Sequence, residues 1–204
     1  MADKWDTIVG PTQYRDCFVQ KLLDSNILIR NASQLLVVDF GCGTGLLTER
    51  LRELVSTKTE FVMLDPAQEM VRVVQEKIKK WQKTPNAATI QVHCMALAHD
   101  NDALNHIHGT VDLIVASSVM NFIPQKDLHR TMKVLGDMLR DGGLFVHSDW
   151  PKAKDDDDDG FTEASAKELY AMGGLSCKST EVTKFHMAND EEASVFFGIA
   201  EKKK

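Results

Sequence analysis

Residues 35–51 read LLVVDFGCGTGLLTERL, and this stretch decides the fold. An apolar run leads into Asp39, glycines follow at positions 41, 43 and 45, and a helical pattern opens at Leu46. A buried strand that ends in a glycine turn and feeds a helix is how an α/β fold builds a small-molecule site. Glycine permits positive φ and a close approach of the backbone to a ligand. The stretch therefore predicts a ligand-binding turn.

Strand and helix patterns alternate downstream of this turn. Apolar runs predict strands, apolar residues at helical spacing predict helices, and Asp141-Gly142-Gly143 predicts a glycine cap at the end of the last of these helices. Regular alternation of this kind indicates a parallel sheet with helices on both faces. The predicted strands are residues 35–41, 61–64, 88–95, 111–119 and 144–147, and the predicted helices are residues 46–55, 67–82 and 128–139.

The two ends of the chain differ from this alternation. Residues 164–172 predict a helix, and two β-like runs follow at residues 179–187 and 194–200. The linker between these runs, residues 188–192, is too short for a crossover helix, so we expect an antiparallel pair. Residues 1–34 contain a helical pattern and predict an N-terminal helical segment or lid.

The overall composition is that of a globular protein rather than of a membrane protein or a nucleic-acid binder. The 204 residues carry a formal net charge of −6, which argues against a broad phosphate-binding surface. No apolar run approaches the roughly 20 residues of a membrane span, and no signal peptide is evident. The four cysteines form no CxxC pair, which indicates reduced thiols and a cytoplasmic location. The aspartate run at residues 155–159 predicts a solvated loop.

Three ligands compete for the glycine turn. Asp39-Phe40-Gly41 spells the metal-binding triplet of kinases, but the other kinase motifs are absent. A nicotinamide dinucleotide turn requires GxGxxG, whereas the third glycine here, Gly45, falls one position early. Asp39 would repel a pyrophosphate and attract a ligand that carries an ammonium and a sulfonium. The turn therefore favours a cationic ligand over a dinucleotide.

Asp65 ends the second predicted strand, 20 residues after Gly45. An acidic residue at this place can accept hydrogen bonds from both hydroxyls of a ribose. Dinucleotide binders and S-adenosylmethionine (SAM) binders share this feature, and before Pro66 an aspartate is also a good turn former. Asp65 thus indicates a ribose without identifying the rest of the ligand.

The ordered motifs resemble the class I SAM-dependent methyltransferases of the small-molecule type. The resemblance rests on VVDFGCGTG, FVMLDPAQEMV, VDLIVASSVMNFIP and LHRTMKVLGDMLRDGGLFVHSD, and it covers residues 35–204. It implies a Rossmann-like three-layer α-β-α sandwich whose seven-stranded, mostly parallel sheet ends in a C-terminal antiparallel pair. It also implies that residues 35–204 form one SAM-binding domain preceded by the segment 1–34.

The resemblance implies a role for individual residues in holding SAM. The turn and Asp39 would hold the methionine part, and Asp65 would bind the ribose. The chain departs from the family at Met95, where an acidic residue normally lies near the adenine amine. The implied cofactor-binding residues are Asp39, Gly41, Cys42, Gly43, Gly45, Asp65, Pro66, Met70, Met95, Ala96, Ser117 and Ser118.

The predicted function is methyl transfer from SAM to a small-molecule acceptor, with S-adenosylhomocysteine (SAH) as the second product. The sulfonium already activates the methyl group, so a general base is needed only when the acceptor must lose a proton. The alternative is a non-catalytic SAM-binding or protein-interaction module on the same fold, which the Met95 departure favours. No metal, membrane or nucleic-acid partner is expected, and the motifs do not encode the oligomeric state. Candidate catalytic residues are His147, Asp149, Asn121 and Tyr14, with His186 as a further candidate.

Overall fold

A computed structural model describes residues 9–27, 34–83, 88–98, 102–152, 160–186 and 192–204. The strands in these ranges are β1 Leu36–Phe40, β2 Glu60–Asp65, β3 Thr89–Cys94, β4 Val111–Ser117, β5 Leu139–Asp149, β6 Leu175–His186 and β7 Glu192–Lys202. The α-helices are α1 Val9–Asp24, α2 Leu46–Leu51, α3 Gln68–Trp81, α4 Gln125–Met138 and α5 Glu163–Met172. Short 3-10 helices span Asp102–Ile107 and Met120–Phe122.

The strands form one seven-stranded sheet in the order β3-β2-β1-β4-β5-β7-β6. The five strands from β3 to β5 pair in parallel, and β7 pairs antiparallel with both β5 and β6. This arrangement confirms the predicted fold class and the C-terminal antiparallel pair. The carboxyl ends of β1, β2 and β4 consequently meet at one edge of the sheet.

Helices cover both faces of the sheet and create two hydrophobic cores. The first core joins α1, α2 and α3 to one face, with Phe18, Leu47 and Val74 buried against Val37 and Val115. The second core joins α4 and α5 to the opposite face. Both cores follow from the sequence pattern, since neighbouring residues of a buried strand such as Val37 and Val38 point to opposite faces.

The junction between α4 and β5 differs from the prediction. The helix ends at Met138 and β5 begins at the next residue, so the predicted glycine cap is wrong. Val111 pairs with Leu139 and Leu113 with Leu144, which means that the register shifts between these pairs. The extra residues of β5 form a bulge, and the positive φ of Gly142 (72°) serves this bulge rather than a helix end.

Two predicted segments differ from the structure in their secondary structure, and two others lie largely outside the described residues. The helix predicted over residues 46–55 ends earlier, at Leu51, and the stretch before Gly109 contains a 3-10 helix. The aspartate run at residues 155–159 and most of the linker at residues 188–192 lie outside the described residues. None of the described helices is both long enough and apolar enough to cross a bilayer.

Candidate active site

A cavity of about 720 Å³ lies at the carboxyl edge of the parallel strands. Its lining comes from the glycine turn after β1, the end of β2, the start of α3 and the end of β4. Helix α1, the residue after β5 and the end of β6 contribute the remaining walls. The volume falls within the range of roughly 300–1,000 Å³ that small-molecule sites occupy.

The glycine turn forms one wall of this cavity. The amides of Gly41 and Cys42 donate to the carbonyl oxygen of Leu64, at 2.8 and 3.0 Å, and so join the turn to the end of β2. A Cβ at Gly41 would overlap the Val119 side chain, and the residue has a φ of 70°. Position 41 therefore requires glycine for both conformation and space.

A hydrogen bond joins Gly43 to Asp65 in the wall of the cavity. The Gly43 amide donates to Oδ2 of Asp65 at 2.9 Å, and the Ala67 amide donates to Oδ1 at 2.8 Å. The carboxylate is 8% exposed and lines the cavity. Each oxygen keeps a free lone pair after accepting one bond, so the carboxylate is held in place and can still bind two hydroxyls.

Asp39 is buried at the end of β1 and also lines the cavity. Thr48 on α2, which the sequence did not single out, donates its hydroxyl to Oδ2 of Asp39 at 2.6 Å. Burial raises the pKa of Asp39 to about 6, although the hydrogen bonds from Thr48 lower it. A buried carboxylate with this pKa is ready to ionise against a cationic ligand.

Cys42 lies in the same turn as a buried thiol. Burial, together with the charges of Asp39 and Asp65, raises the pKa of Cys42 well above its ordinary value. Because the thiolate is the reactive form of cysteine, this side chain serves as an apolar wall rather than a nucleophile.

Ser117 and Ser118 line the cavity at the carboxyl end of β4, as the resemblance implied. Ser118 adopts a φ of 55°, and its amide donates to the carbonyl oxygen of Ser148 at 2.7 Å. Positive φ is uncommon for a serine, so this hydrogen bond between strand ends holds the turn in a costly conformation.

Tyr14 on α1 forms part of the cavity wall through its ring. Its hydroxyl oxygen is buried. Burial raises the pKa of Tyr14 far above its ordinary range, although the nearby Ser118 and Ser148 hydroxyls lower it. The phenol therefore stays protonated near neutral pH, which argues against the predicted role of Tyr14 as a general base.

His147 and Asp149 lie behind the cavity wall and not in its lining. Nδ1 of His147 is 2.8 Å from Oδ2 of Asp149, and Nε2 is 2.8 Å from the Tyr170 hydroxyl. Both side chains are 0% exposed. Burial raises the pKa of Asp149, whereas His147 and the backbone amides of Asn121 and Met120 lower it.

The predicted contact of His147 and Asp149 with the acceptor is not supported by this placement. Both ring nitrogens of His147 are occupied, and the ring packs among Phe145, Phe161 and Phe196 beneath α5. Gly198 of β7 leaves space for this packing, because a Cβ there would overlap the Tyr170 hydroxyl. The buried Tyr170–His147–Asp149 chain therefore joins α5 to the centre of the sheet.

The remaining predicted residues divide between the cavity and its surroundings. Met70 on α3 lines the cavity, whereas Pro66, Met95 and Ala96 are not in the lining. Met95 packs against the second core instead, which argues against the predicted contact with adenine. Gly45 caps α2 beneath the turn. Asn121 is half-buried outside the lining, and the side chain of His186 lies outside the described part of the chain.

Several lining residues were missed by sequence reasoning. Arg15 on α1 lines the cavity and also borders an adjoining groove with Glu49 and Arg50 of α2. Its guanidinium contacts Asp16 at 2.7 Å, and the Arg15 side chain is 20% exposed. In the helical pattern of the sequence, Arg15 has the features of an ordinary solvent-facing residue, so no feature of the sequence indicated that it lies in a cavity. The aromatic lining residues that were missed are Phe122, Trp150 and Phe185.

The sequence and the fold were compared with known proteins. A family model described as a methyltransferase domain matches residues 37–143, just over half of the chain. A sequence comparison with curated proteins gives no match.

Similar solved structures share the fold at low identity. A magnesium protoporphyrin IX methyltransferase from Synechocystis with bound SAM is 21% identical over 96% of this chain and 81% of its own, with a TM-score of 0.65. A SAM-dependent methyltransferase from Aquifex aeolicus is 15% identical over 98% of this chain and 97% of its own, with a TM-score of 0.69. The cyclase SpnF is 10% identical over 94% of this chain and 80% of its own, with a TM-score of 0.69. The family match, the sheet order and the cavity agree: the chain belongs to the class I SAM-dependent methyltransferase family, whose cofactor is SAM.

Proposed function

We propose that this protein transfers the methyl group of SAM to a small-molecule acceptor bound in the same cavity. The observation that carries the proposal is the carboxylate of Asp65, which the amides of Gly43 and Ala67 hold at the cavity wall. This arrangement suits a ribose with two hydroxyls. The negative net charge and the size of the cavity, about 720 Å³, favour a small acceptor over a nucleic acid.

The residues around the cavity fit the three parts of SAM. Asp65 is placed to accept the ribose hydroxyls, and Ala67 and Met70 to pack on the adenine. Asp39 offers a carboxylate to the cationic methionine end. Arg15 also lines the cavity, and we assign its guanidinium, which contacts the exposed Asp16 at 2.7 Å, to the methionine carboxylate. Sequence reasoning assigned the contacts of Asp65, Met70 and Asp39, and the structure adds Arg15 as a positively charged lining residue.

The protein's part in the reaction is alignment and the exclusion of water. When bound, SAM would supply a methyl group on a positively charged sulfur. An acceptor lone pair would bond to the methyl carbon as the C–S bond breaks, and the C–S electron pair would stay on sulfur to give SAH. The Ser117-Ser118 turn shapes the floor beside this methyl group. We assign His147, Asp149 and Tyr170 a positioning role, because their buried chain fixes the end of β5, which the Ser148 carbonyl joins to Ser118.

Ligand-induced thermal stabilisation tests the donor directly. A ligand that binds only the folded state at about 100 times its Kd stabilises that state by about 2.7 kcal/mol. For a chain of this length we expect SAM and SAH to raise the Tm by about 5–10 °C, and NADH to leave it unchanged. The measurement is a thermal unfolding scan with each compound. Unchanged Tm values with both SAM and SAH at millimolar concentration would refute the proposal.

Release of SAH separates an enzyme from a binding module. We expect at least one small-molecule acceptor to produce SAH in proportion to the methylated product. Stabilisation by SAM without SAH release from a broad acceptor panel would favour the non-catalytic module.

The affinity for SAM should depend on pH through Asp39. With a pKa of about 6, the ionised fraction of Asp39 rises about tenfold between pH 5 and pH 7. We therefore expect SAM to bind about tenfold more tightly at pH 7 than at pH 5, as measured by titration calorimetry. Asp39→Asn should lose this pH dependence, and Asp141→Asn, which removes an exposed carboxylate, should keep it. Equal pH profiles for all three proteins would place the titrating group elsewhere.

The same pKa affects the stability of the ligand-free protein. The pKa of Asp39 is higher in the folded state than in the unfolded state, so protonation of Asp39 favours folding. This contribution to stability is complete below about pH 4 and is lost as the pH rises through about 6. The change amounts to about 3 kcal/mol. Asp39→Asn should therefore unfold at higher denaturant concentration than the unmodified protein at pH 7 without SAM. A less stable variant at pH 7 would contradict this assignment.

A further inference from the structure

Charged groups and aromatic rings both contribute to the cavity lining. Asp39 is hydrogen-bonded to α2 and Asp65 to the glycine turn, and Arg15 borders the groove against α2. We assign these three charged residues to SAM. The rings in the lining are those of Tyr14, Phe122, Trp150 and Phe185.

Three of these rings pack together although they come from distant parts of the chain. The centroid of the Tyr14 ring is 5.7 Å from that of Trp150, with an interplanar angle of 48°. It is 6.0 Å from that of Phe185, at 77°. Helix α1, the residue after β5 and strand β6 thus build one aromatic wall, whose ring separations are typical of favourable aromatic pairs.

This wall leaves much apolar surface open to a ligand. Trp150 is 47% exposed and Phe122 is 76% exposed, and both line the cavity. A single exposed aromatic residue is ordinary on a protein surface. Two in the lining of one cavity, with Trp150 packed in the same wall as a half-buried Phe185, form apolar surface of the kind that marks a ligand site.

We propose that the methyl acceptor is a planar aromatic molecule that binds against the rings of Tyr14, Trp150 and Phe185. The inference rests on the proposed function, which supplies the methyl donor in the adjoining part of the cavity. A flat ring gains both apolar burial and edge-to-face or offset-stacked contacts from such a wall. An aliphatic acceptor of equal size gains only the burial.

The test compares naphthol with its fully saturated analogue decahydronaphthol, which carries the same hydroxyl on the same carbon skeleton. Binding of each compound to the protein with SAH is measured by titration calorimetry, so no turnover is required. Trp150→Ala removes part of the aromatic wall, and Trp150→Phe retains a ring. Val182→Ala is the control, because Val182 is exposed on β6 outside the lining.

We expect naphthol to bind at least about tenfold more tightly than decahydronaphthol. Trp150→Ala should reduce this preference to about threefold or less, whereas Trp150→Phe and Val182→Ala should preserve it. Equal binding of the two compounds, or an unchanged preference in Trp150→Ala, would overturn the aromatic acceptor. So would a protein that SAH stabilises but that does not bind naphthol. A protein that neither SAM nor SAH stabilises would instead overturn the proposed function itself.

Discussion

Asp65→Ala should weaken the binding of SAM about a hundredfold. The variant removes the carboxylate that we place against the two ribose hydroxyls, and at the lower limit of about 1.5 kcal/mol for each hydrogen bond to a charged group the loss is about 3 kcal/mol. It also leaves the amides of Gly43 and Ala67 without their acceptor, so the glycine turn loses one of its links to the end of β2. The measurement is titration calorimetry with SAM and SAH, on protein shown to be folded by circular dichroism.

Glu69→Ala provides the matched control for this variant. Glu69 lies on the first turn of α3, close to Asp65 in sequence, but its side chain is 75% exposed. It should bind SAM as the unmodified protein does. If Asp65→Ala also retained full affinity, the ribose would have to bind elsewhere in the cavity.

Gly136→Ala should destabilise the fold by about 3 kcal/mol and lower the Tm by about 6–12 °C. Glycine inside a helix is ordinarily worse than alanine by about 0.5–1 kcal/mol, so the expected sign is unusual. The cause is close packing of α4 against the residue that follows α5: a Cβ at Gly136 would overlap the carbonyl oxygen of Gly173. Because the Gly173 carbonyl is a backbone group, it cannot rotate away as a side chain can, and α4 and α5 must move apart. Denaturant unfolding measures the loss.

Gly10→Ala is the corresponding control, since Gly10 also lies in a helix. A Cβ at this position meets no atom within 4 Å, so the stability should stay within about 1 kcal/mol of the unmodified protein. A Gly136→Ala protein as stable as Gly10→Ala would show that α4 and α5 pack less closely than described.

The sequence predicted the fold well because parallel strands and amphipathic helices have different periods. Runs of apolar residues gave the strands, and the short linker gave the antiparallel pair. The junction after α4 was predicted wrongly for an identifiable reason. Glycines such as Gly142 mark positive φ, but a helix cap and a strand bulge use the same conformation. Only the pairing with β4 distinguishes them.

The donor side of the site was likewise more predictable than the acceptor side. Asp39 and Asp65 end neighbouring parallel strands, so their positions at one edge of the sheet follow from topology. Phe185 lies on an antiparallel strand, and no feature of the neighbouring sequence distinguishes a phenylalanine that lines a cavity from one that packs in the core.

His147 shows a different limit of sequence reasoning. Strand alternation correctly placed Phe145, His147 and Asp149 on one face of β5. It did not reveal that α5 covers this face, which encloses His147 and Asp149 away from the acceptor.

The space that Gly198 leaves for Tyr170 also selects the register of the last strand. His147 pairs with Gly198 on β7, directly below the Tyr170 hydroxyl. A slip of two residues preserves the faces of β7 but brings Phe196 or Ala200 to this position, and either side chain would collide with the hydroxyl. A slip of one residue exchanges the two buried faces of β7, so that Phe197 and Ile199 of the first core would point into the second. One missing side chain thus makes a single alignment of β7 with β5 compatible with the closed core.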